Sequence, residues 1–553
     1  MRTTAIAAGA ALCIALMPAD ARSQADSACL VHLRSADLVG ATADIARLID
    51  LQDSASAESF MLRRPARVFT ASACATPARL AEVARGLGTS PRANGVQLLP
   101  AELLVIGNSA YPRDWNDGAL WGGRGLNAGI TAGAEVRWGP FSAAFAPTAV
   151  WQSNRVFDVV MFPDTSRSEF AHPWWGGSFD APQRFGTEAF ARIEPGQSYA
   201  RIDVRGFGAG VSTENMVWGP SLRNPLMLSA TAPGFAHIFL ETSRPVDIWI
   251  GNLDFQLFWG LLEESEYYDG DPDNDERVLG GLLVAFQPRI LDGLSIGGGR
   301  MLALTWWPEL SLGDVLERPY RGISENPQGR GGDNQLITFF FRWAVAPAGL
   351  EVYGEWARDD HWEEWIGLLR NLDASQAWTL GLQKLVRVGD NALRIHSEVT
   401  HLSDALPTRF AARAGAVAFY TNSHVTQGHT HRGQLLGAPI GTGGEALFLG
   451  ADYFWSGGRS RLSIERARYE DDAYNATFAP RYGAQARDTE LSLRAGHLLL
   501  RGPLSLDAEL GWSRRYNRGF VGLDTLSAGA PYPHEHNWSL RLGARWTPGE
   551  SGR

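Results

Sequence analysis

At 553 residues the chain exceeds one ordinary soluble domain, although large barrels reach this size. A net charge of −10 argues against a nucleic-acid binder, which would carry a basic stripe. The 61 glycines and 20 tryptophans are abundant, and a β-barrel uses such residues for tight turns and for rings of interfacial indoles.

The first residues read as an export leader. Arg2 supplies a positive n-region, Ala5 to Met17 an apolar stretch, and Ala19-Asp20-Ala21 an A-x-A cleavage site. The apolar stretch is too short to span a bilayer. Cys13 lies within it, but Leu12 is bulky where lipidation needs a small residue, so residues 1–21 are read as a signal peptide. Cys29 and Cys74 then remain, and an oxidising compartment permits one intramolecular pairing. Such a disulfide contributes on the order of 4 kcal/mol in the chain-entropy description. The other reading is two free, buried thiols. No later segment offers the roughly 20 uninterrupted apolar residues of a membrane-spanning helix.

From about Ser35 to Gly88 the apolar period is helical. Leu38, Ile45, Leu48 and Ile49 share one side of a first segment that starts near Asp37. In a second segment Leu80, Val83, Ala84 and Leu87 follow i, i+3, i+4, i+7 spacing. Thr76 is the expected cap, Pro77 suits the first turn and Gly88 the stop. Helices this short are marginal alone. Residues 22–98 are therefore expected to form a small periplasmic helical element.

Beyond about Leu99 the period becomes two, and residues 99–546 read as a transmembrane barrel with a tail over 547–553. Leu126, Ala128, Ile130, Ala132, Ala134, Val136 and Trp138 share one face, with Asn127, Thr131, Glu135 and Arg137 on the other. In the last strand Trp538, Leu540, Leu542, Ala544 and Trp546 face outward, with Asn537, Ser539, Arg541 and Arg545 inward. A soluble sandwich also alternates. Strand length, the charged inward face and the closing aromatic favour the barrel. Short turns are expected near Gly139-Pro140, Pro195-Gly196, Ser243-Pro245, Asp292-Gly293, Pro347, Gly389-Asp390, Gly457-Gly458 and Gly502, with long loops between them. That alternation predicts about eighteen antiparallel strands, an even number with both chain ends periplasmic. One of them, near Arg184 to Ile193, rests partly on parity.

Several motifs recur in order. Asn116-Asp117-Gly118-Ala119-Leu120-Trp121 precedes Gly123-Arg124-Gly125, and Asp180-Ala181-Pro182-Gln183-Arg184-Phe185-Gly186 follows. Then come Ser212-Thr213-Glu214-Asn215, Trp218-Gly219-Pro220 and Asn224-Pro225-Leu226. Later stand Glu351-Val352-Tyr353-Gly354-Glu355-Trp356 and the run Gly428-His429-Thr430-His431-Arg432-Gly433-Gln434. Together these cover most of the chain after residue 100, and their number and order resemble the capsule assembly protein Wzi family. The resemblance implies an 18-stranded outer-membrane barrel with a helical bundle at its periplasmic end, and a lectin that helps hold exported capsular polysaccharide on the cell surface. It also implies contact with outer-membrane lipids and with the capsule export machinery. The tail after Trp546 departs from barrels that end on their terminal aromatic, and the N-terminal helices match the family only in kind.

Sugar binding needs flat apolar platforms with polar tips. Candidate contacts are Trp174 and Trp175, Tyr267 and Tyr268, Asp359 with Trp362 and Trp365, and His429 with His431. Girdle indoles and ordinary loop packing are the competing reading for each tryptophan. Asn116, Asp117 and Arg124 are read as a loop tucked into the lumen and fastened by buried Arg–carboxylate bonds, with Arg184, Glu214 and Trp218 in the same structural role. Asp269 to Glu276 alternates carboxylates as calcium loops do, but lacks their glycine and closing glutamate, so it reads as a solvated acidic loop. His424, His429 and His431 have no cysteine or paired acid to complete a metal site. No cofactor is expected, and the chain is read as a monomer that is not an enzyme. A diffusion channel is the main alternative. A barrel hydrolase built on Asp359-Asp360-His361 is a weaker one, since no serine is tied to it.

Overall fold

The computed structural model describes residues 30–34, 42–52, 58–74, 76–89, 92–113, 115–160, 167–269, 271, 274–305, 312–317, 319, 333–359, 375–403, 418–483, 485–521, 523 and 532–548. Most of them belong to one closed antiparallel barrel. In chain order its wall consists of Gly95–Leu98 with Ala101–Asn108, Gly125–Thr131 with Ala134–Trp138, Phe141–Phe145 with Thr148–Gln152, and Phe190–Glu194 with Tyr199–Val204. Phe207–Ser212 and His237–Thr242 with Val246–Asp247 come next. Gly251–Glu263, Glu276–Pro288, Leu294–Thr305, Asn334–Val345, Leu350–Asp359, Gln376–Val388, Asn391–His401, Glu445–Trp455, Gly458–Tyr469, Asp488–Arg501, Leu504–Tyr516 and His534–Trp546 complete it. With each broken strand taken as one, eighteen strands form the wall among the described residues. Closure comes from the last strand pairing with the first, in the register Ser539↔Asn108 to Trp546↔Ala101.

The period-two pattern sorts the side chains as hydrocarbon outside and polar lumen inside require. Trp538, Leu540, Leu542 and Trp546 are exposed on the outer surface, while Asn537 and Arg545 on the same strand are buried within. Trp512 and Leu510 sit opposite Trp538 and Leu540 on the neighbouring strand and extend the apolar band. No helix among the described residues is long and apolar enough to cross a membrane.

Proline explains where strands break. Pro100, Pro147, Pro195 and Pro245 each sit in a gap between two segments of one wall strand, because proline has no N–H to give the ladder. Two expected turns are corrected by this. Pro195-Gly196 and Ser243-Pro245 interrupt strands that continue, and the reversals follow at Arg205-Gly206 and at Ile248 to Ile250. Arg205 and Gly206 both have positive φ, 51° and 89°, the geometry of a two-residue hairpin turn. The strand expected near Arg184 to Ile193 is Phe190–Glu194 continued by Tyr199–Val204. The wall also begins at Gly95, four residues before the expected boundary, since Gly95 to Leu98 pair with Arg137 to Ala134.

Two helices, Thr42–Asp50 and Ala78–Leu87, pack together at the short-turn end. Ile45, Leu48, Ile49, Leu80, Val83, Ala84 and Leu87 share one core with Ala344, Leu385, Ala392, Phe454 and Leu498 of the wall. Arg79 N–H donates to the Asp390 carbonyl in one of those turns at 3.0 Å. Leu38 lies outside the described residues. The expected capping is corrected at the N-terminus only, since Gly88 does end the helix as its C-cap. Pro77 occupies the N-cap position, and the Thr76 hydroxyl has no partner among the described residues. Gly88 is extended, with φ −61°, because Thr89 N–H bonds the His32 carbonyl at 2.7 Å and draws the chain towards a two-stranded sheet. That sheet, Leu30–Arg34 paired with Val68–Ser72, has no counterpart in the sequence reading. Cys74 is disulfide-bonded, and Cys29 lies outside the described residues.

Candidate functional site

Inward-facing carboxylates and guanidiniums need partners, and the chain supplies them from its own loops. Arg64 is fully buried and bonds Glu214 at 2.8 Å and Glu241 at 3.0 Å. Arg67 bonds Asp254 at 2.8 Å, and the Ser59 hydroxyl donates to the same carboxylate at 3.0 Å. On the first helix Arg47 meets Glu351, and Asp50 meets Arg342 at 2.6 Å. Leu62–Arg63 then pairs with Val217–Trp218, so the N-terminal segment and residues 213–236 form one plug. Glu355 accepts from the backbone N–H groups of Ser221 and Leu226, at 2.8 and 2.9 Å. Glu398 accepts from those of Leu222 and Asn224, both at 2.8 Å.

Two further loops fold into this plug. Asp117 pairs with Arg541, and Asn116 donates to the Arg223 carbonyl at 3.0 Å. The hairpin Thr430–His431 with Gln434–Leu435 is buried. Gln434 Nε2 donates to the Gly118 and Thr231 carbonyls, both at 3.0 Å. His429 Nε2 bonds the Met227 carbonyl at 2.7 Å and stacks on Tyr420. Burial lowers His429 to about 4 and holds His431 well below the usual imidazole range. Burial also pushes Glu214 upward against the pull of Arg64.

The long-loop end carries an aromatic cluster. Trp174 lies edge-on to Phe478 and tilted against Phe520, both at 5.5 Å between centroids. Trp175 Nε1 donates to Glu470 at 2.7 Å, and His172 and the Thr442 hydroxyl meet the other oxygen of that carboxylate. Tyr474, Phe478 and Phe520 form the buried base, with Trp174, Trp175 and Tyr482 half-buried around it. Half-buried indoles beside a carboxylate and a histidine offer apolar faces and hydrogen-bonding groups together.

The capsule assembly protein Wzi family model matches residues 116–520, well over half of the sequence. The chain belongs to the Wzi family. Among solved structures it is similar to Wzi of Escherichia coli, an outer membrane protein involved in group 1 capsule assembly and described as a carbohydrate-binding β-barrel. That match has 13% identity and a TM-score of 0.55, and covers 94% of this chain and 100% of the other. At such identity the likeness speaks for the fold. OccAB3 of Acinetobacter baumannii matches at TM-score 0.37 and 11% identity, over 81% of this chain and 98% of its own. OprD of Pseudomonas aeruginosa matches at 0.34 and 10%, over 81% and 92%. Among curated proteins nothing matches the chain.

The expected sugar contacts of this Wzi family member fall into separate places. Trp174 and Trp175 share the aromatic cluster. Tyr267 is half-buried, edge-on to Phe170 and Phe185, and burial pushes its hydroxyl up to about 12. Four expected contacts are corrected. Tyr268 is 1% exposed and donates to the Thr426 carbonyl at 2.5 Å. Asp359 is buried and accepts from the Tyr420 N–H at 2.6 Å. His429 and His431 are enclosed in the plug, so none of the four presents a free face. Trp362 and Trp365 lie outside the described residues.

The structural motifs divide as well. Glu214, Asp117 and Trp218 are buried, with Trp218 Nε1 donating to Gln256 at 2.7 Å. Arg124 is corrected in its partner, since among the described residues it meets carbonyls and no carboxylate, while Arg184 is buried in the structural role expected of it. Arg124 donates to the Ser109 and Val156 carbonyls at 3.1 and 2.6 Å. Arg184 bonds Gly186 and Phe157 carbonyls and stacks over Phe170. Tyr474, Phe478, Tyr482 and Phe520 lie in the long loops on either side of the Gly502 turn's hairpin, where neither the motifs nor the turn pattern marks them. The i, i+4, i+8 spacing of Tyr474, Phe478 and Tyr482 was the available signal, and helices Asp471–Thr477 and Ala479–Tyr482 carry it. Among the described residues no group of His, Cys, Asp and Glu could hold a metal ion.

Proposed function

We propose that this protein is an outer-membrane lectin that binds capsular or related surface polysaccharide at its long-loop face and helps attach or assemble it at the cell surface. Family membership supports the reading, and the plugged lumen carries it against the diffusion channel. A wall whose inward charges are satisfied by its own loops has little reason to pass solute. Short turns are periplasmic in outer-membrane barrels, which sets the helices towards the periplasm and any export machinery, and the aromatic cluster towards the outside. Polysaccharide is then held by ring stacking on Trp174 and Trp175, in a protein that acts as a binder rather than an enzyme.

The test is a pull-down of the refolded barrel on acidic and neutral capsule-type polysaccharides. Trp174→Ala is expected to weaken binding by about ten-fold, the scale of an anchor residue, and Trp362→Ala to weaken it too. Unchanged affinity in both variants would remove these loops from the proposal.

A further inference from the structure

From Glu445–Trp455 to His534–Trp546 the outer face of the wall changes character in steps towards the long-loop end. One cross-strand row reads Ala451, Leu462, Ala495, Leu510 and Leu540. The next reads Ile464, Leu493, Trp512 and Trp538, and the one beyond it Arg466, Leu491, Arg514 and His536. These positions alternate with buried lumen residues such as Glu465, Ser513 and Asn537, so they point outward. In the first row alanine alternates with leucine, and each alanine leaves a floor between two taller ridges. The result is an open groove of about 650 Å³ whose lining includes Leu449, Leu462, Ile464, Leu493, Leu510 and Trp512.

Apolar rows and indoles alone would describe any lipid-facing wall with its interfacial belt. The cationic row sets this face apart. Arg466 is exposed and Arg514 half-buried, and neither meets a carboxylate among the described residues. Arg514 lies over the Tyr516 ring at 4.8 Å, and His536 stacks on Trp512 at 5.7 Å. Arg468, one row further out, is already paired with Glu445 and Asp471. On the far side of the wall the last register pair at the same end is acidic, Glu263 with Glu276. Unpaired positive charge therefore stands directly above a groove that hydrocarbon fits. Arginine stems lie along apolar surface and lift their guanidiniums into the headgroup layer. There a guanidinium grips phosphate bidentately, and basic side chains at a membrane surface attract anionic headgroups.

We propose that this face is a binding site for a phosphorylated, acylated lipid of the outer leaflet. Arg466 and Arg514 hold its phosphate, His536 adds a further polar contact, and an acyl chain lies in the alanine–leucine groove. Charge complementarity selects this occupant over a second copy of the chain, because a two-fold contact through the same face would bring the two cationic rows together. The site faces lipid rather than the lumen, and it stands whether or not the long-loop face binds polysaccharide.

The experiment is native mass spectrometry of the full-length refolded barrel in neutral detergent. It is titrated with diphosphoryl lipid A, with the same lipid freed of phosphate, and with phosphatidylcholine. A one-to-one adduct with the diphosphoryl lipid is expected at concentrations where the other two give none. Removing one cation is expected to weaken it about five-fold, and Arg466→Gln with Arg514→Gln together about twenty-five-fold. Ala495→Trp fills the groove with both arginines intact and is expected to weaken the adduct about ten-fold, which decides the matter should the double variant not fold. Equal adducts with phosphatidylcholine or the phosphate-free lipid would overturn the site, as would full affinity in a folded double variant or a folded Ala495→Trp barrel. A wild-type dimer that Ala495→Trp converts to monomer would overturn it too, since the face would then belong to a second copy.

Discussion

Arg64 shows how single residues hold the plug. Its guanidinium is buried, rests on the Phe239 ring at 4.1 Å, and ties plug residue Glu214 to wall residue Glu241. Arg64→Met leaves Glu214 buried without its ion-pair partner and Glu241 with Arg201 alone. It is expected to cost about 3–5 kcal/mol of stability, read from urea unfolding of the barrel in vesicles. Arg289→Met removes a pair with Asp247 whose side chains are 59% and 63% exposed, and is expected to cost under about 1 kcal/mol. Similar losses in the two variants would contradict the view that burial sets the scale. His429 gives a pH test. Its folded value is about 4, against about 6.5 for a free imidazole. The stability it contributes is complete above 6.5 and is lost as pH falls from 6.5 through 4, on the order of 3 kcal/mol in all. Glu264 runs the other way: burial raises it to about 7, so its contribution is complete below about 4.5 and is lost as pH rises through 7. The difference between the wild type and His429→Gln isolates the imidazole, and the variant is expected to lose less stability on acidification to pH 4. Glu214 and Trp218 were legible as lumen residues from their motif. Arg64, 150 positions from Glu214, was not, because nothing local marks such a partner.

At the scale of elements, the strands were legible and their interruptions were not. Alternation is a local property, so the outward face of His534–Trp546 could be read directly. Proline reads locally as a turn, yet Pro195 and Pro245 break strands that continue, since a neighbouring strand supplies the ladder on either side of the gap. Gly133 sits at the matching break in the second strand, where an added Cβ would collide with the Phe145 carbonyl oxygen and with Ala146. Backbone cannot swing aside as a side-chain tip can. Gly133→Ala is expected to destabilise the barrel by about 1–3 kcal/mol, measured by the temperature at which it loses its compact electrophoretic mobility. An unchanged temperature would mean that the break is loose. The aromatic cluster was only half legible: two adjacent tryptophans stood out, while Tyr474, Phe478 and Phe520 joined them through loops more than 290 positions away, as the Trp175–Glu470 bond measures (separation 295).

At the scale of the molecule, the plug should close the barrel. It draws on residues 42–52, 58–73, 115–121, 213–236 and 418–444, each tied to the wall or to another part of the plug by bonds to buried groups. Planar-bilayer recordings of the full chain are expected to show no porin-sized step, and a steady large conductance would mean that the plug leaves the lumen. By itself the sequence determined a barrel of about eighteen strands, which side of each strand faces lipid, and a helical start, because these follow from the spacing of neighbouring residues. The tertiary structure alone decided what fills the lumen and which residues remain open to a ligand. His429 and His431 looked as available as Trp174 in the linear chain. Only closure of the last strand on the first creates an interior in which loops far apart in sequence must satisfy the same buried charges, and that requirement took the histidines inside and left the tryptophans at the rim.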